Sequence, residues 1–158
     1  MMRRRCSPLR SALRVSVSLL TVAVSIATAS SGSADEPIEY ALAIHGGAGW
    51  EPDKLSADDI AAHRAAMTRA IHVGRDILKK GGTALDAVEQ TIRVLEDEPL
   101  YNAGKGAVFN NVGRHELDAA IMSGQVRQAG AVAGLTTVKN PISLARLVMT
   151  ETKHVLLI

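Results

Sequence analysis

Two glycine-rich segments contain residue types that could bind a ligand through the main chain. The first glycine segment is residues 45–49, HGGAG, and the second is residues 101–106, YNAGKG. Neither matches a phosphate loop, because a P-loop ends in Gly-Lys-Ser/Thr and Lys105 is followed by Gly106. A dinucleotide fingerprint would need a third glycine where Pro52 stands. The residues leave open whether these segments bind a metal ion or the protein's own chain.

Glu116 and Asp118 stand two residues apart on one face of a predicted strand and could form a general acid/base pair. Alternatively they accept hydrogen bonds from main-chain amides near the following turns, as buried polar groups generally do. A zinc-protease pattern fails because Ala119 stands where its second histidine is needed. The five histidines show no metal-ligand spacing, and a G-x-S-x-G motif is absent.

The charge balance excludes an electrostatic reason for nucleic-acid binding. The whole chain has 18 Lys and Arg against 16 Asp and Glu, but five arginines and no acid lie in residues 1–34. The remainder is therefore acidic, and only 3% of the chain is aromatic, so base stacking has no platform. The one cysteine, Cys6, lies in the same leader, which leaves residues 35–158 without disulfides or thiol chemistry.

Residues 1–34 are predicted to be a secretory signal peptide. A basic start is followed by an apolar run over residues 15–29, with small-residue cleavage sites after Ala29 or Ala34. A membrane anchor is the alternative, but the run is shorter than the roughly 20 residues that span a bilayer. We therefore expect an exported protein, periplasmic or secreted, with no membrane segment in its mature form.

Apolar periodicity predicts the elements that must position the glycine segments. A strand over residues 38–45 leads into the first segment. A helix starts at Ser56 with Asp59 as capping partner and ends at the Gly81-Gly82 turn. Its predicted buried face is Ile60, Met67, Ile71, Gly74 and Leu78. A second helix starts at Thr83 and ends before Pro99, with a buried stripe of Leu85, Val88, Ile92 and Leu95.

The second half of the chain is predicted to be mainly strands. Strands are expected over residues 107–109, 115–122 and 125–135, and Asn140-Pro141 starts a third helix whose inner face is Leu144, Leu147 and Val148. A last strand begins at residue 154. The whole pattern predicts an α+β fold. Because the chain ends inside that apolar strand, we expect that it is cut off there.

Seven ordered blocks carry a family resemblance: AIHGGAG, ALDAVE, PLYNAGKGAVF, HELDAAIM, AGAVAGL, KNPISLARLVM and HVLL. Together, over residues 38–158, they resemble the plant-type asparaginases, also called isoaspartyl peptidases. The resemblance implies an αββα sandwich of the N-terminal-nucleophile hydrolase type, here incomplete. Residues 35–158 would form its N-terminal, alpha-subunit-like part.

The resemblance also implies a chemistry. Such a precursor cuts itself and frees a threonine whose hydroxyl attacks L-asparagine or a β-aspartyl dipeptide, with its own α-amine as general base. That threonine would stand in a Gly-Thr-Val-Gly-like block beyond Ile158. None of the threonines here, including Thr136, Thr137, Thr150 and Thr152, has that context. We therefore expect no catalytic residue within this chain, and no activity from it alone.

The site residues that the resemblance implies lie in and before the glycine segments. A structural sodium ion would be held by the main-chain carbonyls of Leu95, Glu96, Glu98, Tyr101, Ala103 and Lys105, with no cofactor for the chemistry. Asn102 would help to position the nucleophile region. His45, Gly46 and Gly47 would lie near the cleavage site. The alternative for residues 102–106 is a plain structural turn.

The expected partners are a C-terminal, beta-subunit-like half, a second such pair in an (αβ)₂ assembly, and a small-molecule or dipeptide substrate. Two alternatives stay open. The chain could be an inactive truncated relic or a subunit that needs a separately made partner. Within the superfamily, it could belong to the glycosylasparaginase branch, which acts on sugar-linked asparagine.

Overall fold

The computed structural model describes residues 40–48 and 52–158. Over these residues the chain is α+β, as predicted. Its helices are α1 (Ala57–Lys79), α2 (Ala84–Glu96) and α3 (Pro141–Glu151). Its strands are β1 (Leu117–Ser123), β2 (Gln128–Leu135) and β3 (Leu156–Leu157), with short 3-10 helices at Pro52–Lys54 and Gly104–Gly106. The predicted signal peptide, residues 1–34, lies outside the described residues.

Helix α1 begins at the predicted capping box. Ser56 Oγ accepts the main-chain N–H of Asp59, and Asp59 Oδ2 accepts the main-chain N–H of Ser56, both at 3.1 Å. This pairing satisfies two main-chain donors at the start of the helix. The aspartate therefore performs the function that glutamate usually has at this position.

The predicted buried face of α1 is wrong in part. Ala66, Ala70 and Gly74 are buried, whereas Ile60 is 40% exposed. These small residues recur every four positions and let α2 approach closely, since a Cβ at Gly74 would collide with the Thr91 hydroxyl. A search for large apolar residues does not find this buried face, because alanine and glycine occupy it for their small size.

Helix α2 begins at Thr83 as predicted, where the side chain accepts the N–H of Asp86 at 3.1 Å. Its buried positions are Ala87, Thr91 and Glu96. The predicted stripe is only partly covered, and Val88 is 37% exposed. Three of its members instead line a groove between α2 and residues 42–45: Val88, Ile92 and Leu95.

The three strands form one sheet in the order β1-β2-β3. Strands β1 and β2 are antiparallel, with a register shift between Leu117 and Ala119, and β3 adds in parallel to β2. The predicted strand start at residue 125 is wrong, because Gly124 to Arg127 form the connecting turn. Arg127 adopts a φ of 54° there, which a continuing strand does not allow.

Two other predicted strands are not hydrogen-bonded strands in the structure. Residues 40–46 alternate between half-buried and exposed, as the pattern predicted, but pair with no strand among the described residues. Residues 107–109 also stay unpaired, and Val108 and Phe109 are 64% and 67% exposed. Periodicity indicates which face of a segment is buried, but a strand also needs a neighbour with free main-chain groups.

The core lies between α3 and one face of the sheet. Its members are Ile121, Val132, Ile142, Ala145, Val148 and Met149. Full burial of a side chain such as Ile142 stabilises the fold by about 1.5–3 kcal/mol. Of the predicted inner face of α3, Val148 is buried but Leu147 is 52% exposed, because the helix turns Ala145 and Met149 towards Gly130 of β2.

None of the three helices within residues 52–158 has both the length and the apolar character that crossing a bilayer demands.

Candidate functional site

The two glycine segments meet at the ring of Tyr101. A Cβ at Gly46 would lie 2.9 Å from Cε1 of Tyr101, so only glycine allows this approach. The ring is 5% exposed, and its hydroxyl donates to the main-chain oxygen of His63 in α1 at 3.1 Å. Burial raises the pKa of this hydroxyl, and the Glu98 charge adds to the shift. Tyr101 therefore holds the first segment, the second segment and α1 together.

The second glycine segment folds back on the end of α2. Gly104 has a φ of +49°, and a Cβ there would collide with the main-chain oxygen of Glu96. A Cβ at Gly106 would collide with the oxygen of Tyr101 and lie 2.6 Å from the oxygen of Pro99. The main-chain oxygens of Glu96, Pro99 and Tyr101 therefore lie so close to one or the other glycine that no larger residue fits there.

Most of the carbonyls predicted to bind a cation already accept one hydrogen bond. Leu95 O accepts from Glu98 N at 3.2 Å, and Tyr101 O accepts from Ala103 N at 2.8 Å. Glu98 O and Ala103 O also accept one main-chain N–H each. A carbonyl oxygen has two lone pairs, so the oxygens of Glu98, Tyr101 and Ala103 each keep one for a further ligand, whereas Leu95 O also accepts the Asp97 N–H. Over the part of the chain that the structure describes, no cluster of His, Cys, Asp or Glu side chains could chelate a metal.

Glu96 has a second function that the sequence did not indicate. Its side chain is 3% exposed, and its carboxylate accepts the Ile142 main-chain N–H at 3.0 Å and the Asn140 side-chain amide at 3.1 Å. Burial raises the pKa of this carboxyl, although both hydrogen bonds oppose the shift. Glu96 therefore caps α3, because the side chain of Asn140 at the N-cap position makes no capping hydrogen bond. No local signal could have shown this, since 46 residues separate Glu96 from Ile142.

The other predicted supporting residues are arranged as local turns. Asn102 Oδ1 accepts the main-chain N–H of Val108 at 2.9 Å and closes the second glycine segment. His45 Nδ1 accepts the N–H of Gly47 at 3.1 Å, and Gly47 has a φ of +99° that favours glycine. Both Asn102 and His45 are exposed, so their side chains can still contact a further part of the protein.

Comparison with known proteins assigns these segments to a family. A family profile described as Asparaginase matches residues 38–158, which is most of the chain. The chain belongs to the asparaginase family. The match begins just before the first glycine segment and covers every element of the described fold.

Several curated relatives of this asparaginase-family chain are 43–51% identical to it over the matched part. The isoaspartyl peptidase/L-asparaginase of Xenopus laevis is 47% identical over 73% of this chain and 36% of the relative. The plant-type L-asparaginase of Pyrococcus horikoshii is 50% identical over 75% of this chain and 37% of the relative. The isoaspartyl peptidase of Escherichia coli is 43% identical over 74% of this chain and 37% of the relative. The chain spans just over a third of the length of these relatives.

The two acidic residues considered as an acid/base pair have different environments in this asparaginase-family chain. Asp118 Oδ1 accepts the main-chain N–H of Gly134 at 2.8 Å, beside the register shift of β1. The donor is a main-chain amide, as the backbone-satisfying interpretation predicts for Asp118, but it belongs to β2 and not to the turn after β1, and Asp118 is exposed. Glu116 precedes the strand and is exposed.

Proposed function

We propose that this chain is the N-terminal part of a self-processing isoaspartyl peptidase/L-asparaginase that hydrolyses L-asparagine and β-aspartyl dipeptides. The observation that carries the proposal is the family match over residues 38–158, together with the names of relatives that share 43–51% identity. The contact between Tyr101 and Gly46 supports it, because it brings the two glycine-rich blocks of the resemblance together.

The proposed nucleophile is a threonine outside residues 1–158 that becomes N-terminal by self-cleavage. Its Oγ attacks the substrate's side-chain carbonyl carbon while its α-amine takes the hydroxyl proton. The tetrahedral oxyanion collapses, the C–N bond breaks, and the proton passes to the leaving ammonia or amino acid. Water then hydrolyses the acyl-enzyme ester. In this scheme Asn102, His45, Gly46 and Gly47 support the loops around the nucleophile and supply no reacting atom.

The proposed cation loop is residues 95–105, in which main-chain oxygens bind sodium. It begins at the C-terminal end of α2, where the last carbonyls lack helical partners and carry the negative end of the helix dipole. Hard cations prefer such oxygen ligands. The six carbonyls are those of Leu95, Glu96, Glu98, Tyr101, Ala103 and Lys105. A bound ion would supply positive charge that stabilises the loop.

We also propose a second sheet over the open face of β1 and β2, as in an αββα sandwich. Asp118, Ala120 and Met122 are exposed on the face away from α3, and Met122 is 71% exposed. Alanines at positions 129, 131 and 133 continue this face on β2, which makes it flat and suited to sheet stacking. We propose that the C-terminal, beta-subunit-like half supplies this second sheet, within an (αβ)₂ assembly.

Export of the protein is proposed from the leader alone. The basic start, the apolar run and the small residues before Ala29 and Ala34 support a cleaved signal and a periplasmic or secreted protein. N-terminal sequencing of the mature protein from culture checks this, and a start at Met1 would contradict it.

The decisive experiment uses the full-length gene product that carries this chain. Mass spectrometry is expected to find two fragments, the second starting with threonine, and ammonia release from L-asparagine is expected only after cleavage. The control replaces that threonine by alanine, which should abolish both. An uncleaved, inactive full-length protein would contradict the proposal and favour the relic or partner-dependent subunit. Hydrolysis restricted to sugar-linked asparagine would favour the glycosylasparaginase alternative.

A further inference from the structure

Glu96 connects two parts of the molecule through its two ends. Its main-chain oxygen lies against Gly104 inside the proposed cation loop. Its carboxylate reaches away from the loop, to the start of α3. Glu96 is the last residue of α2, and its buried carboxylate is fixed by two hydrogen bonds, so a movement of its main chain is transmitted to the start of α3.

The start of α3 depends on this carboxylate. Pro141 is the first residue of α3 and has no N–H, and the Asn140 side chain does not cap the helix. The Ile142 N–H is therefore the first donor that needs a partner, and Glu96 Oε1 accepts it at 3.0 Å. Glu96 Oε2 holds the Asn140 amide at 3.1 Å. The contact is buried, since Glu96 is 3% and Asn140 is 9% exposed.

A second link between the same elements lies at the surface. Lys139 Nζ is 2.9 Å from Asp97 Oδ1, but the lysine side chain is 76% exposed and the aspartate 45%. Such exposed pairs contribute little to stability because water and salt screen them. The hydrogen bonds of Glu96 to the start of α3 are fully buried, whereas those from Asn140 to Asp97 and from Ser143 to Glu89 are only partly buried. Glu96 is therefore the buried connection at this point, and Lys139 is a matched control.

We propose that Glu96 is a positioning residue that couples cation binding in the loop of residues 95–105 to the order of the first turn of α3. The inference rests on the proposed cation loop. Ordering of the Glu96 main chain by an ion also orders the carboxylate that caps α3. Because coupling between two sites is reciprocal, loss of the cap weakens cation binding by the same factor.

The test measures two quantities on the full-length protein, with sodium chloride replaced by choline chloride at constant ionic strength. Broadening of the ²³Na resonance reports ion binding, and amide exchange of the peptide around Ile142 reports the order of α3. In the wild type, sodium is expected to slow this exchange about 5-fold, the lower end of typical coupling. In the Glu96→Ala variant, sodium binding should weaken by the same factor. Amide exchange around Ile142 should no longer change when sodium is added.

Three variants separate coupling from simple destabilisation. Glu96→Gln keeps an oxygen for the Ile142 N–H and is expected to retain most of the response. Lys139→Ala should behave as the wild type. Asn140→Ala keeps Glu96 but removes one of its hydrogen-bond partners, so it should reduce the effect of sodium on the exchange around Ile142. This variant replaces Glu96→Ala as the test if Glu96→Ala does not fold.

The inference is wrong if sodium broadens the wild-type resonance but leaves the exchange around Ile142 unchanged, or if Glu96→Ala responds like the wild type. In either case the proposed cation loop stands. Absence of ²³Na broadening in the wild type would overturn the cation loop itself, and the coupling with it.

Discussion

At the scale of single residues, several glycines stand where any side chain would collide with a neighbouring group. Gly46 makes room for the Tyr101 ring, Gly74 for Thr91, and Gly106 for the carbonyls of Tyr101 and Pro99. The sequence indicated that both glycine segments are special, since neither a helix nor a strand tolerates them well. It could not indicate which atoms approach each glycine, because those atoms come from other elements or from the far side of the same loop.

The first prediction concerns Gly106. Gly106→Ala should lower the free energy of unfolding by about 2 kcal/mol, because its Cβ would collide with two main-chain oxygens that cannot move away as a flexible side chain could. Urea unfolding of the full-length protein measures this. Gly124→Ala is the control, since no atom lies within 4 Å of its Cβ. Equal stability of the two variants would show that the loop is not packed as described.

The second prediction concerns the buried hydroxyl of Thr91. It is 2% exposed and has no hydrogen-bond partner among the described residues. Thr91→Val keeps the shape and removes the unpaired polar atom, so the free energy of unfolding should rise by about 1 kcal/mol. Thr68→Val is the control, because its hydroxyl already donates to Arg64 O at 2.8 Å. A loss of stability in Thr91→Val would mean that the hydroxyl has a partner after all.

At the scale of elements, polar side chains fix how α2 and α3 pack. Arg146 of α3 lies 2.7 Å from both Asp86 Oδ1 and Glu89 Oε2 of α2, and the Ser143 hydroxyl donates to Glu89 at 2.6 Å. Burial alone would raise the pKa of Glu89, but the hydrogen bonds from Ser143 and Arg146 lower it overall. The hydrogen bonds from Thr83 and then Arg146 lower the pKa of Asp86.

The third prediction is an acid sensitivity. A carboxyl whose pKa is lower in the folded than in the unfolded state stabilises the fold above its unfolded pKa, and this stability is lost as the pH falls through the folded value. Arg146→Met should therefore reduce stability by about 2 kcal/mol at pH 7, because Glu89 stays buried without its cation. The difference from wild type should shrink in acid, as the pH falls through the lowered pKa values of Asp86 and Glu89 in the folded protein.

Denaturant unfolding at several pH values measures this dependence. Arg75→Met is the matched control, since the Arg75–Asp76 pair is 40% and 51% exposed and should contribute little at any pH. A constant difference between wild type and Arg146→Met from pH 7 to pH 3 would contradict the assigned ion pairs.

At the scale of the whole molecule, the sheet has one covered and one open face. The covered face packs on α3 around Ile121 and Val132, while the other face exposes Ala120 and Met122. Strand β3 adds an edge in which Leu156 and Leu157 remain 49% and 41% exposed. Apolar surface of this extent is typical of a face that another layer covers.

The fourth prediction tests that cover. In the full-length protein, Ala120→Lys should cost about 3 kcal/mol or more, because a lysine would be buried between two sheets without a partner. Asn111→Lys, in the exposed turn before β1, is the control and should change stability by less than about 0.5 kcal/mol. Equal behaviour of the two lysine variants in urea unfolding would show that the open face stays in water.

Sequence patterns alone were sufficient for features made within a few residues. The caps at Ser56 and Thr83, the α+β class and the unusual glycine segments were all predictable, because each depends on neighbours three or four positions away. Only the tertiary structure could show that Tyr101 contacts Gly46 and that Glu96 binds the start of α3. The bonds of Glu96 to Asn140 and Ile142 join residues 44 and 46 positions apart, and Gly46 and Tyr101 are further apart still. Such contacts depend on how whole helices and loops pack against one another, and a pattern within a few residues of sequence carries no information about that packing.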